Sequence, residues 1–453
     1  MESPFGYLQE TIGLSGYAVL FAAVMAFLIL VLPRRYALLP LLVTCFYMTL
    51  GQVVLIFGFH FTMFRALIFI GWVRILLRGE YVGIKWTSLD KIFLWWVVIS
   101  FITGSILTPT GEGVQNRLGF AYNALGSFFF VRCLVRDWDD WLVLTRGLAV
   151  IFIPLAISML VEKFTARNAF AVFGGVPPET FEREGSLRCQ GPFAHPILAG
   201  TMGATTFPLL FGVWRGSTNG RDRSLAVIGM VCSVIVVFAS ASSGPLGAWL
   251  FAIICLALWR YRLQLYRFRR GLVWGLIIAQ LFMKSPVWYL FGKLSVFSGG
   301  TGWHRSMVID QALKHFQEWW LVGTTFTAHW DEPSILPLDP DNIDITNQYI
   351  IEGISGGLIK MVLFIAVIVS CFRMIGRVLR SLEGISYERQ MLVWGIGCAF
   401  TAHVISFLSV SYFDQTVVIY YVLPTIVASL ATSVQEETAG GDNSVALEPA
   451  MAS

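Results

Sequence analysis

The sequence predicts an all-α polytopic membrane protein, with about 12–13 transmembrane helices and one large external loop that itself contains helices. Of the 453 residues, 56% are hydrophobic and only 13% are charged, which is about half the charge of a soluble domain. These proportions exclude a soluble enzyme, a nucleic-acid-binding protein and a disordered chain. The seven cysteines contain no CxxC pair, so neither a disulfide framework nor a thiolate metal site is expected.

Thirteen apolar runs have the length of a membrane span. They lie near residues 15–32, 37–57, 60–77, 91–109, 119–134, 142–161, 193–214, 224–241, 244–259, 272–290, 349–372, 391–410 and 416–432. The runs do not alternate apolar and polar residues, which argues against the strands of a membrane barrel. The segment before the first run lacks the basic residues of a cleaved signal peptide, so we expect that run to remain as a span.

The basic residues predict the orientation of these spans. With the segment after the first span in the cytoplasm, 21 of the 32 lysines and arginines lie on the cytoplasmic side and nine lie outside. This bias follows the positive-inside rule, and it places the N-terminus outside. We expect a single membrane domain over residues 1–432, followed by a disordered, polar cytoplasmic tail over residues 433–453.

Two external segments are long, at about 162–192 and about 291–346. The second is rich in Trp, His, Asp and Pro, a composition typical of an ordered functional loop. The cytoplasmic loops are too short for a nucleotide-binding domain. The sequence also contains no GxxxxGK[ST] motif, which argues against an ATP-driven pump. We therefore expect the chemistry on the external face.

The first candidate segment runs from Arg188 to Pro196 and opens the span from 193. Arg188 can bind a phosphate through two parallel hydrogen bonds, and Gly191 permits close approach of the backbone. The N-terminus of the span would add exposed N–H groups beside His195. The structural alternative is an ordinary helix start, with a proline in its first turn and an arginine at the interface.

The second candidate segment contains Trp303, His304 and Arg305 in the long external loop. An arginine, a histidine and an aromatic ring suit a phosphate or a sugar, because the ring can stack on a pyranose face. The structural alternative is an amphipathic helix, since apolar residues from Met307 to Phe316 recur at nearly helical spacing. Both interpretations hold if Arg305 lies near the start of such a helix.

The third candidate segment precedes the span from 349 and includes Asp344, Thr346, Asn347 and Tyr349. Its carboxylates and amides could orient hydroxyl groups or supply a general base. Calcium is a further reading, but the spacing is not that of an EF-hand. The structural alternative is a polar turn and a helix cap.

Isolated cations and histidines complete the candidates. Arg65 and Lys360 lie inside apolar runs, where a cation needs a cavity or a partner, unless it reaches the interface. Histidines 195, 304, 315 and 329 are all external, but no HExxH motif or close histidine pair supports a metal site. We expect neither a metal nor a cofactor.

Taken in order, the three segments resemble the O-antigen ligase/polymerase superfamily of bacterial integral membrane glycosyltransferases. The patterns that carry the resemblance are Arg188-x-x-Gly191-x-x-x-His195-Pro196-Ile-x-Ala199, then Arg305-Ser-Met-Val-Ile309-Asp-Gln-Ala312-Leu313, and finally Thr346-Asn347-Gln-Tyr349-Ile350 followed by Gly353 and Gly356. Four places depart from the family, and at the first of them His195-Pro196-Ile197 stands where Pro-Asn is common. His304 replaces a glycine, Ile309 replaces a tryptophan, and Thr346 replaces a histidine that is implicated in catalysis in the ligases.

The resemblance implies a GT-C-like helical fold in the bacterial inner membrane, with its active site on the periplasmic face. It implies an undecaprenyl-diphosphate-linked oligosaccharide as the donor, and no metal or nucleotide sugar. Arg188 and Arg305 would then bind the diphosphate, with Arg65 as a third cation. His195, His304 or Asp344 would act as the base, while Gly191, Trp303, Thr346, Asn347 and Tyr349 would contact the substrate.

Among the functions of this family, the loss of the histidine at Thr346 favours a polymerase of exopolysaccharide or O-antigen repeat units. The alternative is a ligase that transfers finished glycan to lipid A–core or another acceptor. A non-enzymatic transporter or flippase of lipid-linked glycan is an alternative of another class, although it should concentrate its charge at the bilayer midplane. Expected partners are membrane lipid and a chain-length regulator or flippase of the same pathway, and no nucleic acid.

Overall fold

The computed structural model describes residues 14–56, 59–290, 301–330 and 338–447, and this part of the chain is mostly helical. The helices are α1 (Gly16–Val31), α2 (Leu39–Tyr47), α3 (Met63–Arg78), α4 (Ser88–Leu107), α5 (Gly111–Leu134), α6 (Trp138–Thr165), α7 (Pro196–Gly216), α8 (Gly220–Ala239), α9 (Ser243–Ala257), α10 (Leu265–Phe282), α11 (Thr301–Lys314), α12 (Phe316–Trp319), α13 (Gln348–Ile354), α14 (Gly357–Ser381), α15 (Tyr387–Ser406) and α16 (Thr416–Leu447). Strands β1 (Val53–Ile56) and β2 (Phe59–Thr62) form one antiparallel hairpin, and β3 (Glu182–Arg183) and β4 (Ser186–Leu187) form another.

Seven helices of the described chain are long and apolar enough to cross a membrane. They are Ser88–Leu107, Trp138–Thr165, Pro196–Gly216, Gly220–Ala239, Ser243–Gln264, Gly357–Ser381 and Thr416–Glu437. The helical fold predicted from composition is therefore confirmed, and the seven long apolar helices are compatible with a polytopic membrane protein. The helices α1 and Arg270–Phe282 are also apolar but shorter.

The single span predicted over residues 37–57 is wrong. Helix α2 ends at Tyr47, the backbone at Met48 is extended, and the chain then enters the β1–β2 hairpin. The β-branched pair Val53–Val54 favours a strand at this point, and apolar composition alone does not distinguish it from a helix.

The span predicted over 349–372 is also divided, into the short α13 and the long α14. Between them the backbone bonds to a neighbouring loop, because Leu358 N donates to Trp320 O (2.7 Å) and Thr324 N donates to Ile354 O (2.8 Å). At the end of the chain, α16 continues to Leu447, so most of the tail that we expected to be disordered is helical. Residues 448–453 lie outside the described chain.

Helix α7 lies at the centre of the bundle and packs on α8, α9 and α15. Glycines permit the closest of these contacts. A Cβ atom at Gly212 would lie 2.7 Å from Met391 O of α15, and one at Gly395 would lie 2.6 Å from Pro208 O of α7. Small residues at such positions let helix backbones approach each other in a membrane. This packing holds the start of α7 in place.

The bundle has two chemically different ends. At one end, which we call the paired end, basic side chains meet carboxylates: Arg34 with Asp140 (2.5 Å), Arg74 with Glu80 (2.8 Å), Arg132 with Asp90 (3.4 Å) and Arg146 with Asp222 (2.7 Å). At the other, the loop end, the connections before α7, α9 and α13 meet the connection from α15 to α16. Ala194 N donates there to Asp414 Oδ2 (3.0 Å), and Gln348 N donates to Phe407 O (2.8 Å).

Candidate functional site

Two sequence-predicted arginines meet at the loop end, beside the N-terminus of α9. Arg188 Nη2 donates to Ser242 Oγ at 2.8 Å. Arg305 Nη2 lies 3.6 Å from the position that a Cβ atom would take at Gly244. Arg188 lies in the connection before α7 and Arg305 lies on α11, so the convergence is made by the tertiary fold. We call Arg183, Arg188, His195 and Arg305 the arginine site.

Arg183, on the β3–β4 hairpin, adds a third cation to this site. Burial, together with the positive charge of Arg183, lowers the pKa of Arg188 and of Arg305 to about 10. Both guanidinium groups therefore remain charged at neutral pH. Their shifted pKa values report positive charge held in a poorly solvated environment.

Among the described residues, Glu184 is the carboxylate whose charge acts on Arg188, and this single charge does not match the three arginines of the site. Arg183 lies 3.7 Å from Glu184, but neither Arg188 nor Arg305 forms an ion pair there. Arg188 is only 8% exposed, and its buried Nε has no hydrogen-bond partner in the part of the chain that the structure describes. A buried charge is costly unless it is paired, so this arrangement favours the binding of an anion.

The N-terminus of α9 adds to the positive potential of the site. Its N-cap residue Ser242 does not cap the helix, because its hydroxyl donates to Ser240 O (2.9 Å) and accepts from Arg188. The first-turn N–H groups at this end are thus left for other acceptors. The sequence predicted that role for α7, but His195 Nδ1 caps α7 by accepting from Ile197 N (3.1 Å).

His195 fits the role of a donor better than that of a base. Since Nδ1 accepts a hydrogen bond, the proton of the neutral ring lies on Nε2. Burial, with the charges of Arg188 and Arg183, lowers the pKa of His195 to about 3. The ring is therefore neutral at pH 7, and its Nε2–H can donate to an anionic oxygen.

His304 and Asp344 form a second titratable pair next to the arginine site. His304 is buried and directly precedes Arg305 on α11. Burial raises the pKa of Asp344, and the charge of His304 opposes that shift. A carboxylate whose pKa is raised is a stronger base than an ordinary one, so Asp344 is the better candidate for a general base.

Gly191 holds the backbone of the loop that carries Arg188. Its φ is +57°, a left-handed conformation that favours glycine. Gly191 N donates to Glu162 Oε2 (2.9 Å), and its carbonyl accepts from Asn168 Nδ2 (2.8 Å). The Glu162 carboxylate also accepts from Gln190 N (3.1 Å), so it anchors this loop to α6.

The third sequence segment mainly positions α13. Asn347 Oδ1 caps that helix by accepting from Tyr349 N (3.0 Å) and Ile350 N (3.2 Å). Tyr349 OH donates to Val404 O (3.1 Å) of α15. Thr346 Oγ1 is buried and has no hydrogen-bond partner among the residues that the structure describes. Among these three side chains, Thr346 is the one with polar capacity left for a ligand.

Two further predicted residues lie apart from these groups. Trp303 is 48% exposed, and its ring makes an edge contact with Tyr289 at a centroid distance of 5.8 Å. Arg65 lies in the first turn of α3, and its Nε donates to Asn123 Oδ1 of α5 (2.9 Å). The fold thus holds Arg65 against α5 rather than at the start of α9.

A buried polar cluster inside the bundle was not predicted. Lys360 Nζ of α14 lies 3.2 Å from Glu352 Oε2 of α13, and it donates to Ser355 Oγ (2.7 Å). Trp96 Nε1 of α4 donates to the same Glu352 carboxylate (3.1 Å). Lys360, which is ambiguous in the sequence, is therefore neutralised by a partner that sequence spacing alone does not select.

The arginine site also includes a residue that sequence reasoning passed over. Arg183 is one of the nine cations that the sequence predicts to be external, but no motif singles it out. Its proximity to Arg188 in sequence was the available signal.

In comparisons with known proteins, no family model and no curated protein matches this chain. The resemblance to the O-antigen ligase/polymerase superfamily therefore rests on the motifs quoted above.

Proposed function

We propose that this protein is a membrane glycosyltransferase that polymerises lipid-diphosphate-linked repeat units. One observation carries the proposal: Arg188 and Arg305 converge on an uncapped helix start, and neither has an ion-pair partner within the described residues. The site lies where apolar helices end, as required for a ligand with a charged head and a lipid tail.

The arrangement suits a reaction in which a diphosphate departs. An acceptor hydroxyl would attack the anomeric carbon of the donor sugar, the bond from that carbon to the diphosphate oxygen would break, and Asp344 would take the hydroxyl proton. Negative charge then develops on the leaving diphosphate. Arg188, Arg305 and the N–H groups of α9 are positioned to stabilise it, and the neutral His195 can donate one more hydrogen bond.

Polymerisation is favoured over ligation by position 346. A threonine hydroxyl cannot serve as a base at neutral pH, so a mechanism that uses the family's histidine there does not transfer to this chain. The proposal extends to a GT-C-like arrangement of about 12–13 spans in the bacterial inner membrane. It also extends to an external site and to undecaprenyl as the lipid.

The test uses the purified protein in proteoliposomes with undecaprenyl-diphosphate-linked repeat units. Arg188→Gln and Arg305→Gln should each lower the elongation rate by about 10²- to 10³-fold, the usual effect of removing one transition-state donor. Arg167→Gln is the matched control, because Arg167 is exposed on the same predicted external segment. Normal chain lengths in both site variants would refute the assignment.

The products distinguish the alternative functions. A ladder of lengthened lipid-linked glycan supports a polymerase, whereas a single transfer to added lipid A–core supports a ligase. Movement of unaltered donor between the leaflets, without any new glycosidic bond, would support a transporter instead.

A further inference from the structure

Two histidines and a glutamate meet outside the arginine site, and we propose that they bind one divalent transition-metal ion of the Zn²⁺ type. They are His315, directly before α12, Glu318 within α12, and His329 in the loop that follows. The sequence offered no close histidine pair, so no metal site was expected. The fold creates one by bringing His329 to the other side of the Glu318 carboxylate.

The ligand atoms lie close enough to share one ion. His315 Nδ1 lies 2.6 Å from Glu318 Oε1, and His329 Nε2 lies 2.9 Å from Glu318 Oε2. One ligand atom from each of the three residues falls within 4.8 Å of the others. Bonds of about 2.0–2.1 Å in tetrahedral geometry separate neighbouring ligands by about 3.3 Å, so the three side chains would need shifts of up to about 1.5 Å between ligand atoms to share one ion.

The side chains are also held in orientation. The His315 ring stacks on Trp330 with centroids 5.2 Å apart, and the His329 ring stacks on Phe326 at 5.3 Å. Trp330 Nε1 donates to Glu318 Oε2 at 3.0 Å, which is the kind of outer contact that orients a ligating carboxylate.

The ligand set selects the class of ion. Two imidazole nitrogens and one carboxylate oxygen suit Zn²⁺ and similar ions, whereas Ca²⁺ and Mg²⁺ prefer oxygen ligands throughout. Side-chain exposures of 26% for His315, 38% for Glu318 and 41% for His329 leave access for the ion. A water molecule can take the fourth coordination position.

The metal site is separate from the arginine site. Arg305 lies on helix α11, which ends at the residue before His315. The two sites are therefore about 15 Å apart along the axis of this helix. A bound ion would link α12 to the loop at Phe326–Trp330. This link would stabilise the region next to α11, the helix that carries Arg305. The proposal does not depend on the proposed function.

The experiment measures Zn²⁺ binding to the whole protein in nanodiscs, purified through a tag without histidines and stripped with EDTA. Equilibrium dialysis should give one Zn²⁺ per chain. His315→Asn, Glu318→Gln and His329→Asn should each weaken binding by at least about tenfold. Asp310→Asn is the matched control and should bind like the wild type, since Asp310 pairs with Lys314 on α11 outside the ligand set.

A second measurement needs no variant. Diethylpyrocarbonate should modify His315 and His329 of the wild type, and added Zn²⁺ should slow both reactions, as read by mass spectrometry of the peptides. Failure of the wild type to bind Zn²⁺, unchanged binding in all three variants, or modification rates that ignore Zn²⁺ would each overturn the proposal.

Discussion

Replacing Arg305 by Met should stabilise the substrate-free protein while removing its activity. The pKa of Arg305 is lowered from its ordinary value of 12.5 to about 10, mainly by burial and then by Arg183. Each pKa unit corresponds to about 1.4 kcal/mol, so the charge costs at most roughly 3 kcal/mol of folding free energy. Arg305 is partly exposed, and screening by solvent reduces this to about 1–2 kcal/mol.

The sign of this effect follows from linkage. A base whose pKa is lower in the folded state is penalised on folding wherever it is charged. The penalty is therefore fully present below pH 10 and fades only between pH 10 and 12.5. At pH 7, Arg305→Met removes the charge and keeps a flexible apolar stem, so the free energy of unfolding should rise by about 1–2 kcal/mol.

The assay is equilibrium unfolding of the variant and the wild type in nanodiscs at pH 7, without substrate. Arg74→Met is the matched control from the paired end. Arg74 is 1% exposed and binds Glu80 through two hydrogen bonds of 2.9 and 2.8 Å, so its loss should cost about 3–5 kcal/mol. Destabilisation of both variants to a similar extent would show that Arg305 is an ordinary structural cation.

Three further predictions concern Lys360, Glu162 and Asp344. Lys360→Met should lower the free energy of unfolding by about 3–5 kcal/mol, because it leaves the Glu352 carboxylate buried without its cation. In the same unfolding experiments, the double variant that also carries Glu352→Gln should recover part of this loss. Glu162→Gln should cost about 1–3 kcal/mol, since an amide NH₂ would face a backbone donor; unchanged melting would contradict this. In the wild type, the acid limb of the pH–rate profile should lie above pH 3.8, because burial raises the pKa of Asp344 and the base acts only when it is deprotonated. Asp344→Asn should abolish this limb.

The candidate residues could be found from the sequence because polar groups are scarce in a membrane protein. Charge is costly near hydrocarbon, so an arginine such as Arg188 at a span boundary narrows the search for a site. The same reasoning could not separate residues that would contact a substrate from residues that only support the backbone. Gly191, Asn347 and Tyr349 occupy the predicted segments, but their contacts hold the backbone and the ends of helices.

Other features left no local signal. Ser242 and Gly244 at the start of α9 belong to no motif, yet Arg188 and Arg305 meet there. The hairpin after α2 is apolar, like the helices around it, so composition alone could not reveal it. His329 reaches Glu318 only because the loop after α12 turns back.

The sequence by itself determined that this chain is helical and suited to a membrane, and it reduced the candidate site residues to a few cations that are predicted to be external. These are properties of composition and spacing, which act locally through the cost of exposing polar backbone to lipid. Only the tertiary structure decided which of those cations share a site. Arg188 and Arg305 both reach the start of α9, at Ser242 and Gly244, and this convergence depends on contacts between segments distant in sequence, which no periodic pattern encodes.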